Sequence, residues 1–245
     1  MIRLLVAAED GLGHRLVTSL ADRLCLEVDW VETESLDAFR TWVQHEGRPY
    51  LELKRVGAIA KQLGLRFRGT FDGASGADDA LLMRKLFGVV VDLELQLEVL
   101  VVARDVDSTD RRVGFEQARA ELGTGPFEIV GALAQPEAEA WLVCAWLPAG
   151  EAEESAHQAV RRDLGFDPIA RSHELASTSD ASRKDAKKVL DQLAGSAAHA
   201  EQRFGLRPPA DLEQLGAANG LTRFLHELRP VLHRHLGSSN APARP

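Results

Sequence analysis

Ile2-Arg3-Leu4-Leu5-Val6-Ala7-Ala8 runs straight into Glu9-Asp10-Gly11-Leu12-Gly13, and this junction decides the fold. A nearly continuous apolar run of this length is the pattern of a parallel strand buried on both faces, whereas a strand with one wet face alternates. Leu16, Val17, Leu20 and Leu24 then recur at helical spacing, so the opening reads strand, glycine-containing turn, helix. The pattern returns at residues 99–103 (VLVVA), which lead through Arg104-Asp105-Val106-Asp107-Ser108-Thr109 into a helix carrying Phe115, Ala118 and Leu122. Ser108 or Thr109 is the expected cap of that helix, with Asp110 favourably placed in its first turn. A third strand at 127–134 passes through Gln135 and Pro136 into a helix with Trp141, Leu142 and Trp146. Strands alternating with helices in this order predict an α/β fold, a parallel sheet with helices on both faces.

Working outward, the sequence predicts a second strand or an extended connection at 26–31, and helices at 36–43, 51–63 and 80–97. Residues 69–76, with Asp72, Gly73, Ser75 and Gly76, read as a loop able to flank a site. After Pro148 every apolar pattern is helical, at 153–164, 182–193, 212–218 and 221–236, and β-branched residues are few. The expected organisation is an α/β domain over 1–148, a helical C-terminal cap over 149–236, and a disordered tail over 237–245, which lacks apolar content.

Composition narrows the function classes. With 245 residues and 45% apolar content, the chain can build a full core without staples. Cys25 and Cys144 sit in apolar helical patterns and read as buried thiols, which suits a reducing compartment. The opening apolar run is too short for a signal sequence and no later run approaches a membrane span, so a cytoplasmic protein with no membrane partner is expected. A formal charge of -8 excludes polyanion binding by a bulk basic field; a nucleic-acid partner needs local basic patches or a metal.

In an open parallel sheet the functional crevice lies beyond the carboxyl ends of the strands. Glu9 follows the first strand, and Asp105 and Asp107 follow the second. Asp105 and Asp107 are separated by one residue, so extended backbone points both carboxylates the same way, where they can share a cation. Hard oxygen ligands that leave room for water suit Mg²⁺ or Mn²⁺. Clustered strand-end acids repel one another unless a cation or protons are present.

Apolar strand-Glu-x-Gly (VAAEDG, 6–11) followed after a helical insert by apolar strand-Asp-x-Asp (VVARDVD, 101–107) resembles the Toprim domain of topoisomerases, primases and OLD-type nucleases. Pro136-Glu137-Ala138-Glu139-Ala140-Trp141-Leu142 is similar to a P-x-x-E-x-W-L segment of small Toprim-like proteins from bacterial phage-defence loci, often encoded beside an AAA or ABC-type ATPase. The resemblance implies a Toprim-like sheet and a metal-dependent nuclease acting on DNA or RNA as a defence effector. It makes Asp105 and Asp107 metal ligands and Glu9 a ligand or general acid/base, with Glu139 completing a second metal site. A lysine on a later helix is implied as well, for which Lys187 is the candidate catalytic cation, with Lys184, Lys188 and Arg104 expected to contact substrate. Tyr50, the only tyrosine, is not placed like a topoisomerase nucleophile, so strand passage through a tyrosyl link is not expected.

Two rival functions remain open. Asp105-Val106-Asp107-Ser108-Thr109 matches the D-x-D-x-T of haloacid-dehalogenase-type phosphatases, although no later strand ends in paired acids and Glu9 would be idle. The other is a non-catalytic Toprim-like subunit of an ATPase. Trp141 and Trp146 read as core anchors, and His226, His233 and His235 as the polar face of a terminal helix. His14, one helical turn after Glu9, reads first as a surface residue. Gly11-Leu12-Gly13 lacks the Lys-Ser/Thr ending of a phosphate-binding loop.

Overall fold

A computed structural model describes residues 1–107, 109–176 and 182–238, in which the chain forms two compact units. Among the described residues the first comprises 1–103, 109–132 and 227–238; the second comprises 104–107, 133–176 and 182–226, so Pro148 lies inside it. The protein is α/β, with a mostly parallel sheet flanked by helices.

In the first unit β1 (Ile2–Ala8) forms the middle of the sheet, whose order is β2 (Arg40–Trp42), β1, β6 (Val99–Asp105), β7 (Glu128–Ala134). Helix α1 (Gly11–Cys25) follows at once, started by Asp10, whose Oδ1 accepts the Gly13 N–H at 3.0 Å. Gly13 eases a close approach, because a Cβ there would stand a tight 3.3 Å from the Ala103 Cβ. The short α2 (Leu36–Phe39) gives way to β2 (Arg40–Trp42), which pairs parallel with Ile2 to Leu4. Then β3 (Leu51–Glu52) pairs with Ala7 and Ala8, and α3 (Val56–Gln62) follows.

A two-residue hairpin, β4 (Thr70–Phe71) and β5 (Ala74–Ser75), turns on Asp72 and Gly73, both with positive φ. Helix α4 (Ala80–Asp92) leads to β6 (Val99–Asp105), in register with β1 from Leu4 opposite Val99 to Ala8 opposite Ala103. Helix α5 (Thr109–Leu122) packs on α4 through Gly114; a Cβ there would meet the Asp78 carbonyl at 1.9 Å. The last strand is β7 (Glu128–Ala134), whose Glu128 N–H donates to the Glu98 carbonyl at 2.8 Å. Leu4, Leu5, Val101 and Val102 are fully buried, each contributing about 1.5–3 kcal/mol relative to exposure.

The second unit is helical: α6 (Glu139–Cys144), α7 (Glu151–Leu164), α8 (Ala186–Ala194), α9 (Ala197–Leu206), α10 (Pro209–Leu215) and the first part of α11 (Leu221–Ser238). Trp141 and Trp146 are buried, as the sequence predicts, and Trp141 stacks on Phe224 with centroids 5.7 Å apart.

Several expectations are corrected. Residues 26–31 form turns, and the strand beside β1 comes later, because residues 40–42 of the expected 36–43 helix complete its open edge. The expected 51–63 helix opens as β3 and a single 3-10 turn, drawn extended by its pairing with β1. The 80–97 helix stops at Asp92, where Glu94 and Gln96 take left-handed φ and turn the chain into β6. The expected 182–193 helix begins at Ala186, since Asp185 caps it, so Lys184 precedes the helix. The 212–218 helix lies at Pro209–Leu215, and α9 has no counterpart in the sequence reading. Asp105 is the last residue of β6, not a loop residue. Gly237 and Ser238 of the expected tail close α11; 239–245 lie outside the described residues, as does Ser108 of the expected cap, while Thr109 is the first residue of α5.

Candidate functional site

The second unit gathers acids around the ends of β6 and β7. The Val106 N–H donates to the Ala134 carbonyl at 2.7 Å, tying the two strand ends together. The chain then passes a cis Gln135–Pro136 peptide and reaches the start of α6, where the Ala138 N–H donates to Asp105 Oδ1 at 3.0 Å. Glu137 and Glu139 flank that donor in sequence, 3% and 9% exposed. Asp185, 5% exposed, caps α8 by accepting the Lys188 N–H at 2.9 Å. Lys187, in the first turn of α8, directs its ammonium to both glutamates, 3.7 Å from Glu137 Oε2 and 3.9 Å from Glu139 Oε1.

Asn219 holds this arrangement from beneath. Its carbonyl accepts the Gln135 N–H and the Trp141 Nε1–H, both at 2.9 Å, while its Nδ2 donates to the Ala140 carbonyl and Ser172 Oγ. The segment carrying Glu137 and Glu139 is thereby fixed to the helical core.

The electrostatics are unbalanced. Burial first, then the neighbouring Glu139, pushes the Glu137 carboxyl up to about 7; Lys187 opposes this, and Asp105 and Asp185 add to it. Glu137 Oε1 is buried with no hydrogen-bond partner. A buried acceptor in this condition costs about 1–3 kcal/mol unless something satisfies it.

Of the residues the sequence singles out, the structure brings Asp105, Glu139 and Lys187 into this neighbourhood. Asp107 is exposed and Arg104 half-buried. Lys184 lies over the Phe166 ring, 5.3 Å from its centroid, and Lys188 is exposed on α8. Glu137 and Asp185 were missed. The Pro-Glu-x-Glu spacing and an aspartate just before the apolar pattern of α8 were their available signals.

Glu9 belongs to the first unit, half-buried and next after Ala8 at the end of β1. One helical turn on, the His14 ring stacks on Tyr50, and burial holds its imidazole below the usual histidine range. Glu52 is met by Arg48 at 2.5 Å and Lys54 at 3.2 Å. The terminal-helix histidines find protein partners: His226 meets Glu213 at 2.7 Å, His233 the Leu24 carbonyl at 3.2 Å, and His235 Glu128 at 2.9 Å. Burial raises the Cys25 and Cys144 thiols to about 12 and about 11.

Among the described residues no three His, Cys, Asp or Glu side chains are grouped to hold a metal as placed. Mg²⁺ takes one or two carboxylates and keeps several waters, so an all-protein cage is not its requirement. The all-oxygen donor set and the unsatisfied Glu137 Oε1 fit such a cation. No helix among the described residues is long and apolar enough to cross a membrane. No family model, curated protein or solved structure matches this chain.

Proposed function

We propose that this protein is a Mg²⁺- or Mn²⁺-dependent nuclease that hydrolyses phosphodiester bonds in DNA or RNA, in keeping with its resemblance to Toprim-like defence proteins. One observation carries the reading: Glu137 Oε1 is a buried, unsatisfied oxygen among carboxylates that the Lys187 ammonium only partly offsets. One or two of the carboxylates of Asp105, Glu137 and Glu139 would hold the cation and water would fill the rest of its shell, with Asp107 as the further acid that the sequence motif contributes. When bound, such a cation polarises a phosphoryl oxygen and lowers the pKa of a coordinated water.

The chain's own residues do the rest. Lys187 projects from the capped first turn of α8, where its ammonium can neutralise charge developing on a phosphate oxygen. Asn219 and the Ala138 N–H keep the α6 start and Asp105 in fixed relation, so little reorganisation is needed at the moment of reaction. An AAA or ABC-type ATPase is the partner this reading suggests.

The test is cleavage of labelled single- and double-stranded DNA and RNA by the purified chain with Mg²⁺, Mn²⁺ or EDTA, alongside Asp105→Ala. Cleavage that needs the cation and Asp105 supports the reading; undiminished cleavage in EDTA sinks it. Turnover of p-nitrophenyl phosphate without any nuclease activity would favour the phosphatase motif instead.

A further inference from the structure

His14 and Tyr50 form a stacked ring pair in the first unit, centroids 5.2 Å apart and planes inclined by 26°. Both side chains are half-buried and stand outside the fully buried core. Each ring hangs on backbone that β1 fixes. His14 sits in the first turn of α1, which Asp10 caps directly after the strand. Tyr50 immediately precedes β3, whose Leu51 and Glu52 pair with Ala7 and Ala8.

Before Tyr50 the chain makes a tight turn, in which His45 and Arg48 exchange backbone hydrogen bonds of 3.2 and 3.0 Å across Glu46 and Gly47, both at positive φ. The rings are therefore held in place in advance, and a flat ligand stacking on them spends little free energy ordering them.

The local charge also departs from that of the whole chain. Against a net charge of -8, residues 45–55 carry Arg48, Lys54 and Arg55 with two acids, Glu46 and Glu52. The side chains of Arg48 and Lys54 are 51% and 75% exposed while they touch Glu52. In sequence Tyr50 stands between Arg48 and Lys54, and aromatic rings flanked by cations are the combination that binds single-stranded nucleic acid, bases on the rings and backbone along the positive groups. A base paired in a duplex does not offer its face in this way.

Resting on the phosphodiester reading above, we propose that the His14–Tyr50 pair is a nucleobase platform, and that the substrate is a single strand with one base stacked on these rings. The platform adjoins Glu9 along the chain, so the stacked nucleotide sits near the end of β1.

Tyr50 is the only tyrosine, so ring-labelled tyrosine gives an NMR signal from this side chain alone. In EDTA, a fluorescein-labelled single-stranded DNA is titrated into the full chain, with anisotropy reporting binding and the tyrosine ring shifts reporting stacking. We expect the ring resonances to move upfield with a normal strand and to stay in place with an abasic one. Tyr50→Phe should bind normally, whereas Tyr50→Ala should bind about tenfold more weakly to the normal strand and unchanged to the abasic strand. If the strand binds but the tyrosine signals stay put and Tyr50→Ala binds normally, the platform is wrong while the nuclease reading stands. If no strand binds, the platform falls, while the nuclease reading is decided separately by the cleavage assay on DNA and RNA.

Discussion

Lys187 Nζ stands 3.7 Å from Glu137 Oε2, joining an ammonium that is mostly exposed on α8 to a carboxylate side chain that is only 4% exposed. The two arrive from different directions: Glu137 from the turn after β7, and Lys187 from a helix whose start Asp185 sets. Their meeting makes the acid cluster asymmetric, open to solvent on its cationic side and buried on its anionic side.

Lys187→Ala is expected to lower the cleavage rate about 10²-fold, the scale seen when one preorganised charge-stabilising group is removed. Mn²⁺ affinity should stay level or rise, because a competing cation has left the carboxylates. Calorimetric titration with Mn²⁺ beside a single-turnover cleavage assay separates the two effects, and a large loss of Mn²⁺ binding would contradict the role given to Lys187.

The raised Glu137 carboxyl sets a pH dependence of stability in metal-free protein. Its pKa is about 7 in the folded chain against an ordinary 4.5, so between these values the folded state holds a proton that the unfolded state has released. Stability from this group therefore falls as pH rises through that window and reaches its floor above pH 7, with a span on the order of 3 kcal/mol. Urea unfolding in EDTA at pH 5 and pH 8 should show the fall, and Glu137→Gln should flatten it by stabilising the alkaline end.

Asp105 and Asp107 are expected to separate by stability while agreeing in activity. Asp105 accepts the Ala138 N–H, so Asp105→Ala should cost about 1 kcal/mol of stability along with cleavage. Asp107 is exposed, so Asp107→Ala should remove cleavage with a stability change within about 0.5 kcal/mol. Melting curves beside the cation-dependent assay read both, and full activity in Asp107→Ala would remove the Asp-x-Asp pair from the site.

Asn219→Leu should destabilise the second unit by about 1–3 kcal/mol, because the Ala140 carbonyl and Ser172 Oγ lose a donor in a buried setting. The tryptophan fluorescence of Trp141 should shift as its stacking on Phe224 loosens. An unchanged unfolding midpoint with unchanged emission would show that Asn219 does not brace the start of α6.

The apolar runs at 2–8, 99–103 and 127–134 determined the parallel strands by themselves, since a strand buried on both faces has to be apolar throughout and few other segments of this chain are. The positions of Glu9, Asp105 and Glu139 at or just beyond strand ends were legible for the same reason. Tertiary structure decided what local pattern leaves ambiguous. Residues 40–42 read as helix by spacing but became β2, because pairing with β1 satisfies backbone groups that a short helix would leave at the edge of the sheet. Glu137 and Asp185 looked like ordinary polar residues beside apolar stretches. Only the packing of α6 and α8 buries them and brings Lys187 to the carboxylates. Burial and charge proximity depend on residues about fifty positions apart, and no local periodicity encodes them.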